Sequence, residues 1–140
     1  MMTRLIASLM ALALLVVACA NPAASAPPGS QVVAELADSK ITVNVPSVKA
    51  GKIKIGVRNL GTMEHSFVVL KTDLAPDKLP VDGASAKAKE DGKVGEIPSI
   101  PAGKSDAVTV DLVPGKYVFI CNIAGHYQLG MHTGFTVDAQ

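Results

Sequence analysis

Residues 117–137 read YVFICNIAGHYQLGMHTGFTV. The two ends of this stretch are rich in aromatic and β-branched residues, which is typical of β-strands. The segment between them contains a thiol, an imidazole and a thioether, at Cys121, His126 and Met131. The stretch therefore predicts two strands joined by a short loop that presents three potential metal ligands.

The spacing within this loop suits a common centre. Five positions lead from Cys121 to His126, and five more lead to Met131. Gly125 and Gly130 each stand immediately before a potential ligand and permit backbone angles that a side chain would forbid. Soft sulfur ligands combined with imidazole favour copper or zinc over calcium and magnesium. The loop therefore predicts a copper or zinc site that still needs one imidazole.

His65 can supply that imidazole. It begins an apolar stretch at 65–70, and antiparallel strand pairing can bring it beside Cys121. Taken singly, each residue has an ordinary explanation, because buried cysteines and methionines are common core residues and a lone histidine on an apolar strand is often one too. Taken together, they favour a metal site whose ligands are His65, Cys121, His126 and Met131.

The rest of the chain has the two-residue period of half-buried strands. Gly, Pro and Asn turns separate these short strands, and no crossover helices lie between them, which indicates an all-β, antiparallel sandwich or barrel. The predicted strands are 32–36, 41–45, 52–57, 65–70, 108–112, 116–121 and 133–137.

One long segment, 72–96, interrupts this rhythm. It is rich in Ala, Lys, Asp and Glu, and its stretch at 84–90 is compatible with a short helix. Long loops in small domains are often functional or cover part of the surface. We expect an insertion that forms a solvent-facing flap; an element that docks a partner is the alternative.

The N-terminus has the pattern of an export signal, predicted over residues 1–18, with Arg4 followed by an apolar run too short to be a permanent membrane span. The run ends at Val16-Val17-Ala18-Cys19, which resembles the lipobox of bacterial lipoproteins and implies lipidation of Cys19. Cleavage within 24–26, without a lipid, is the alternative. Residues 19–31 then read as a flexible Pro/Ala/Ser tether, and residues 32–140 as one domain.

Charge and cysteine content limit the functions that remain. Loss of Arg4 with the signal leaves equal numbers of basic and acidic residues, which argues against nucleic acid as a partner. With Cys19 lipidated, Cys121 is the one remaining thiol, so no internal disulfide can form.

Three further segments, 59–67, 100–105 and 114–121, join the ligand loop in a pattern that resembles the cupredoxin family over most of residues 41–137. The Cys-x4-His-x4-Met spacing is similar to that of the rusticyanin, sulfocyanin and auracyanin branch rather than plastocyanin. The resemblance implies a Greek-key β-sandwich with one type 1 copper per chain. By the same resemblance His65, Cys121 and His126 are the strong equatorial ligands and Met131 is the long axial one.

The resemblance also implies a function: a monomeric one-electron carrier, not an enzyme, exported to the bacterial periplasm or cell surface. Its partners would be a redox donor and acceptor, such as a cytochrome or an oxidase, and electrons would leave through His126. We expect an apolar patch there, formed by Ile123, Ala124, Tyr127 and Leu129.

Two positions need comment. Ser66 follows the first histidine where many cupredoxins have Asn, but its hydroxyl can still donate a hydrogen bond to the ligand loop or the thiolate. His132, directly after Met131, is expected to face solvent.

Two other functions stay open. A copper chaperone or storage lipoprotein would also be an exported copper binder, although it would normally lack a strand-anchored thiolate. A thiol enzyme would use Cys121 and His126 as nucleophile and base, but no third orienting group is evident in the sequence.

Overall fold

The computed structural model describes residues 24–140 and shows an all-β fold. The predicted signal at 1–18 and the predicted lipidation site Cys19 lie outside the described residues. Within 24–140 the structure contains these strands: β1 Val32–Ala37, β2 Lys40–Val43, β3 Ser47–Lys49, β4 Gly51–Asn59, β5 His65–Lys71, β6 Val81–Asp82, β7 Lys87–Ala88, β8 Lys93–Ile100, β9 Ser105–Leu112, β10 Gly115–Ile120 and β11 His132–Asp138. No helix of membrane-spanning length and hydrophobicity occurs in this described part.

Two sheets form the sandwich that the strand pattern predicts. One has the order β2-β1-β4-β9 and the other the order β3-β11-β10-β5-β8. Most neighbours are antiparallel, but β1 pairs with β4 and β11 pairs with β3 in parallel, so both sheets are mixed. The parallel pairs arise because the chain leaves the first sheet after β2, adds β3 to the second, and returns with β4 beside β1.

Alternating side chains of the two sheets meet in the main core. Phe119 lies at its centre, with its ring centroid 5.2 Å from that of Phe67 and 4.9 Å from that of Phe135. These three rings come from β10 and β11, which flank the predicted ligand loop, and from β5, which begins with His65. Burial of large aromatic rings dominates the stability of small cores. The packing therefore fixes the strand ends from which the metal site is built.

The insertion does not contain the short helix predicted at 84–90. Residues 81–88 instead form a hairpin of β6 and β7, with Ala86 at a positive φ of 53° in its turn. The alanines gave a helix pattern, but backbone groups of this segment bond to the ligand loop, which competes with helix formation.

The insertion covers the outer face of the second sheet. Leu79 and Ala88 are buried with Tyr127 in a second apolar cluster; the sheet residues beneath them are Val68, Leu70, Val118 and Ile120. The segment that we expected to be a solvent-facing flap is therefore partly a lid over apolar surface. β8 was not predicted, because it is an edge strand with mostly exposed residues and contains Gly95 and Pro98.

Residues 24–31, the described part of the predicted tether, lie against β4. Gln31 N donates to the Lys54 carbonyl at 2.9 Å, and Lys54 N donates to Gln31 Oε1 at 2.8 Å. Further along, Arg58 Nε donates to the Ala24 carbonyl. A Cβ on Gly56 would collide with Ser30, so the glycine makes room for this segment. We call residues 24–31 the N-terminal strap.

Candidate metal centre

Three of the four predicted ligands converge at one end of the sandwich. His65 is the first residue of β5 and Cys121 directly follows β10, which pairs with β5 in antiparallel register. Cys121 Sγ lies 3.8 Å from His65 Nδ1 and 3.5 Å from His126 Nδ1, and the two Nδ1 atoms are 3.2 Å apart. The donor atoms of these three residues all lie within 4.8 Å of one another. The sheet register thus joins a mid-chain imidazole to a C-terminal thiol.

The fourth predicted ligand, Met131, closes the loop. Its side chain is fully buried in the main core. The Met131 carbonyl accepts a hydrogen bond from Cys121 N, and Met131 N donates to the His126 carbonyl, both at 3.1 Å. Gly125 and Gly130 have φ values of +81° and +108°, so the conformation of the loop requires both glycines.

Ser66 places two polar groups, its backbone N–H and its hydroxyl, next to the Cys121 sulfur. Its backbone N donates to Cys121 Sγ at 3.3 Å, and its Oγ lies 3.7 Å from the same sulfur. That hydroxyl accepts a hydrogen bond from Asn122 N at 2.9 Å, which leaves its own proton free to point toward the sulfur. Ser66 therefore connects β5 to the ligand loop and can stabilise a thiolate.

His65 is fully buried, and both of its ring nitrogens have neighbours. Nδ1 faces Cys121 and His126, whereas Nε2 lies 3.3 Å from Asp38 Oδ1. Burial and the nearby His126 lower the pKa of His65, and the contact with Asp38 opposes this only in part. The imidazole is therefore kept neutral, which is the form that binds metals. Sequence reasoning missed Asp38, because nothing in the local sequence distinguishes this acid at a strand turn.

His126 occupies a more open position, with its ring partly exposed. The predicted patch around it is only partly correct, since Leu129 is 66% exposed and Ala124 is exposed, but Tyr127 is buried. Two residues from the loop after β4 that the prediction missed are also exposed, Leu60 at 44% and Met63 at 46%. Their exposure is a property of the tertiary structure, and no local sequence signal marked them.

The insertion holds the ligand loop from outside. Asn122 exchanges two hydrogen bonds with the backbone of Ala88, at 2.8 and 2.9 Å, and donates to Glu90 Oε1 at 2.8 Å. Gly125 N donates to the Ala86 carbonyl at 2.8 Å. Asn122 and Gly125 both lie between Cys121 and His126, so these contacts limit how far that part of the ligand loop can move.

Tyr127 adds a second connection between the loop and the insertion. Its hydroxyl accepts a hydrogen bond from Leu79 N at 2.9 Å and donates to the Pro76 carbonyl at 2.8 Å. The ring of His132 packs at 5.2 Å from the Tyr127 ring, half-buried rather than fully solvent-facing, and it does not belong to the group of converging donors.

The chemistry of this donor set fits copper. Two imidazoles, one free buried thiol and a buried thioether match the ligands of type 1 copper sites. Copper bound here would be held mainly by the Nδ1 atoms of His65 and His126 and by Cys121 Sγ. The apolar core beneath the site, which includes Phe67 and Phe119, keeps water from the sulfur.

Comparisons with known proteins agree with this architecture. The cupredoxin-like domain family matches residues 8–133. Among solved structures, auracyanin from Roseiflexus castenholzii is 22% identical over 79% of this chain and 99% of its own, with a TM-score of 0.53. Auracyanin A, a blue copper protein from Chloroflexus aurantiacus, is 20% identical over 76% and 98%, with a TM-score of 0.53.

Rusticyanin from Thiobacillus ferrooxidans is 21% identical over 76% of this chain and 75% of its own, with a TM-score of 0.54. No curated protein matches the sequence. At these identities the solved structures show a shared fold. The family match spans most of the chain and includes all four predicted ligands; on these grounds the chain belongs to the cupredoxin-like family, with copper as its cofactor.

Proposed function

We propose that the protein is a one-electron carrier that works in an exported, membrane-tethered electron-transfer chain. The observation that supports this most directly is the convergence of His65, Cys121 and His126 within 4.8 Å at a largely buried site. Such a site, held by strands and by a braced loop, suits an electron carrier better than a catalyst, because a substrate has little access to it.

In this proposal His65, Cys121 and His126 would hold one copper ion, and Met131 would be a fourth, weaker ligand. Copper supplies the one-electron couple. The protein contributes a fixed geometry: His65 belongs to a strand, and hydrogen bonds from the insertion hold the loop that contains the other three. His65, Cys121 and His126 already converge within 4.8 Å, which supports an electron transfer in which little has to move.

The exposure of His126 supports a route by which the electron would leave. His126 is the proposed ligand that is partly exposed, and the ligand loop and the loop before β5 carry three exposed large apolar residues, Leu60, Met63 and Leu129. We call these three residues the docking face. A small apolar face favours brief association with a redox protein, such as a cytochrome or an oxidase, that exchanges electrons through the His126 ring.

The N-terminal strap bears on the proposed lipid anchor at Cys19. Five residues lead from Cys19 to Ala24, and five residues span at most about 18 Å. Ala24 is bound to Arg58, near the end of β4 that leads into the Leu60 loop. A lipid on Cys19 would therefore hold the metal-binding end of the sandwich close to a membrane that faces the periplasm or the cell exterior. This supports a partner whose electron-exchange site also lies near that membrane.

A spectrum of the copper-loaded protein tests the proposal. We expect intense visible absorption and the narrow copper hyperfine splitting of a type 1 site, because both come from the bond between Cu(II) and a thiolate. Cys121→Ser is the control and should lose the visible band while keeping the fold. A colourless wild-type protein that still binds copper would contradict electron carriage and would favour a copper chaperone or storage protein.

A further inference from the structure

A carboxylate lies behind the buried histidine of the metal site. Asp38 is in the turn between β1 and β2, and its Oδ1 is 3.3 Å from His65 Nε2. Its side chain is 37% exposed, whereas the His65 ring has no exposed surface. The contact therefore connects solvent to the side of the imidazole that faces away from the other metal ligands.

Asp38 is held in this position by a dedicated pair of donors. Thr62 N donates to Oδ1 at 2.8 Å, and Thr62 Oγ1 donates to Oδ2 at 2.7 Å. Both carboxylate oxygens thus have a fixed partner from the loop that leads into β5. The hydrogen bonds from Thr62 also hold the pKa of Asp38 below its ordinary value, so the group is negatively charged.

The loop next to Asp38 and His65 contains a glycine, Gly61, at the point where their side chains meet. A Cβ added to Gly61 would collide with Asp38 Oδ1 and approach His65 Nε2 to 2.9 Å. Gly61 N donates to Asn59 Oδ1 at 2.9 Å, and Asn59 is fully buried, so the backbone cannot easily move away. The space that Gly61 leaves is therefore the space in which the carboxylate and the imidazole meet.

We propose that Asp38 is a positioning residue for His65 that also helps to set the reduction potential. This rests on the proposed function, in that His65 binds copper through Nδ1. Because Nδ1 faces Cys121 and His126, the proton of the neutral ring belongs on Nε2. There the N–H donates a hydrogen bond to Asp38. The carboxylate fixes this tautomer, orients the ring and makes Nδ1 a stronger donor. Its negative charge stabilises Cu(II) more than Cu(I), which lowers the potential.

The test uses Asp38→Ala, which removes acceptor and charge, and Asp38→Asn, which keeps an acceptor oxygen without the charge. Asp111→Asn is the matched control, because it removes the same charge far from the metal site. Asp111 lies in β9, opposite Lys52 in the strand register, at the end of β4 away from His65. The measurements are the nitrogen chemical shifts of His65 in the metal-free protein and the dissociation constants of Cu(II) and Cu(I) in the full chain.

In Asp38→Ala we expect His65 to lose its preference for the Nε2–H tautomer and Cu(II) to bind about tenfold more weakly, the lower end for loss of such a partner. If Cu(I) affinity is unchanged, a tenfold change corresponds to a rise in potential of about 59 mV. Asp38→Asn should keep the tautomer and show a smaller rise, and Asp111→Asn should match the wild type.

An unchanged tautomer in Asp38→Ala, or an equal loss of Cu(II) and Cu(I) affinity, would overturn the proposal. A shift in Asp111→Asn as large as that in Asp38→Asn would also overturn it, because the effect would then come from net charge alone. The tautomer is measured without copper, so it reports on Asp38 even if the wild-type protein lacks a type 1 spectrum and the proposed function fails.

Discussion

The two histidines of the metal site differ in how the fold supports them. His65 belongs to a central strand, is fully buried and contacts a fixed carboxylate at its outer nitrogen. His126 lies on a loop that also contains the exposed apolar residue Leu129, and its ring is partly exposed. One imidazole is built into the sandwich, while the other is presented to the outside. The site is therefore enclosed by the fold on the His65 side and open to solvent on the His126 side.

The elements that hold the two ligand segments differ in the same way. Backbone pairing fixes His65, which lies opposite Ile100 of β8. The loop of His126 instead depends on hydrogen bonds from the insertion to Asn122, Gly125 and Tyr127. Changes in the sheet should therefore affect the whole fold, and changes in the insertion should act first on the loop.

The largest expected effect is a difference between the variants that remove the His65 ring and the His126 ring, measured by whether added imidazole restores the copper band. We expect both His65→Gly and His126→Gly to lose the visible copper band. Added imidazole should restore it in His126→Gly, because the vacated position is open to solvent, but not in His65→Gly, where the position is enclosed. Titration with imidazole, followed by absorption, measures this.

His132→Gly is the control for these variants, since His132 is outside the group of converging donors, and it should retain the band. Equal restoration by imidazole at positions 65 and 126 would show that the two sites do not differ in access.

A charge on the docking face should slow electron exchange without changing the site. In Leu129→Lys we expect the self-exchange rate between Cu(I) and Cu(II) forms to fall on the order of tenfold, because two like charges meet in the encounter complex. Line broadening in NMR spectra of mixed-valence samples measures the rate. Val113→Lys adds the same charge at the opposite end of the sandwich and should exchange like the wild type.

The contacts of Tyr127 should matter for stability. Tyr127→Phe leaves the Leu79 N–H without its partner in a buried region, which should lower the free energy of unfolding by about 1–3 kcal/mol. Chemical denaturation of the metal-free protein measures this. The change should also broaden the copper hyperfine lines, because the loop becomes less uniform.

Tyr117→Phe is the matched control for this loop effect. Its hydroxyl donates to the Val113 carbonyl at 2.8 Å, far from the ligand loop. It should destabilise the protein while leaving the copper spectrum unchanged. A spectral change of equal size in both variants would mean that the loop responds to general stability rather than to the insertion.

The smallest effect concerns the Glu90 carboxylate that bonds to Asn122. Its partial burial favours a higher pKa, but hydrogen bonds from Lys93 and Asn122 outweigh this and hold the pKa below its ordinary value. Its contribution to stability is therefore present above the ordinary pKa of about 4.5 and is lost as the pH falls through the lower, folded-state value.

Glu90→Gln should remove this loss of stability at low pH, because the amide does not titrate. Because the group is partly exposed, the difference from the wild type should be below about 1 kcal/mol. Denaturation of the metal-free protein between about pH 6 and 3 measures it, since that range spans the ordinary carboxyl pKa. Parallel pH profiles of the two proteins would contradict the prediction.

Much of the fold could be read from local patterns. The seven predicted strands correspond to β1, β2, β4, β5, β9, β10 and β11, because each combines alternation or an apolar run with a turn signal. The helix at 84–90 was wrong because its alanines form a local pattern, whereas its backbone bonds to a distant loop. β8 was missed because an exposed edge strand has little apolar signal.

Within the site, too, some residues could be identified from the sequence and others could not. Cys121, His126 and Met131 share a loop whose length and glycines restrict where their side chains can lie, so their grouping was visible in the sequence. Asp38, Leu60 and Met63 reach the site from other elements and have no local mark that distinguishes them.

The sequence by itself determined the set of donor atoms, their spacing on one loop and the two-residue period of the strands. Only the tertiary structure decided which carboxylate contacts His65, which apolar residues of the neighbouring loops are exposed and what the insertion covers. The physical reason is that short-range geometry follows from neighbouring residues. Contacts between Asp38 and His65, or between Asn122 and Ala88, exist only once sheet pairing and packing have brought distant segments together.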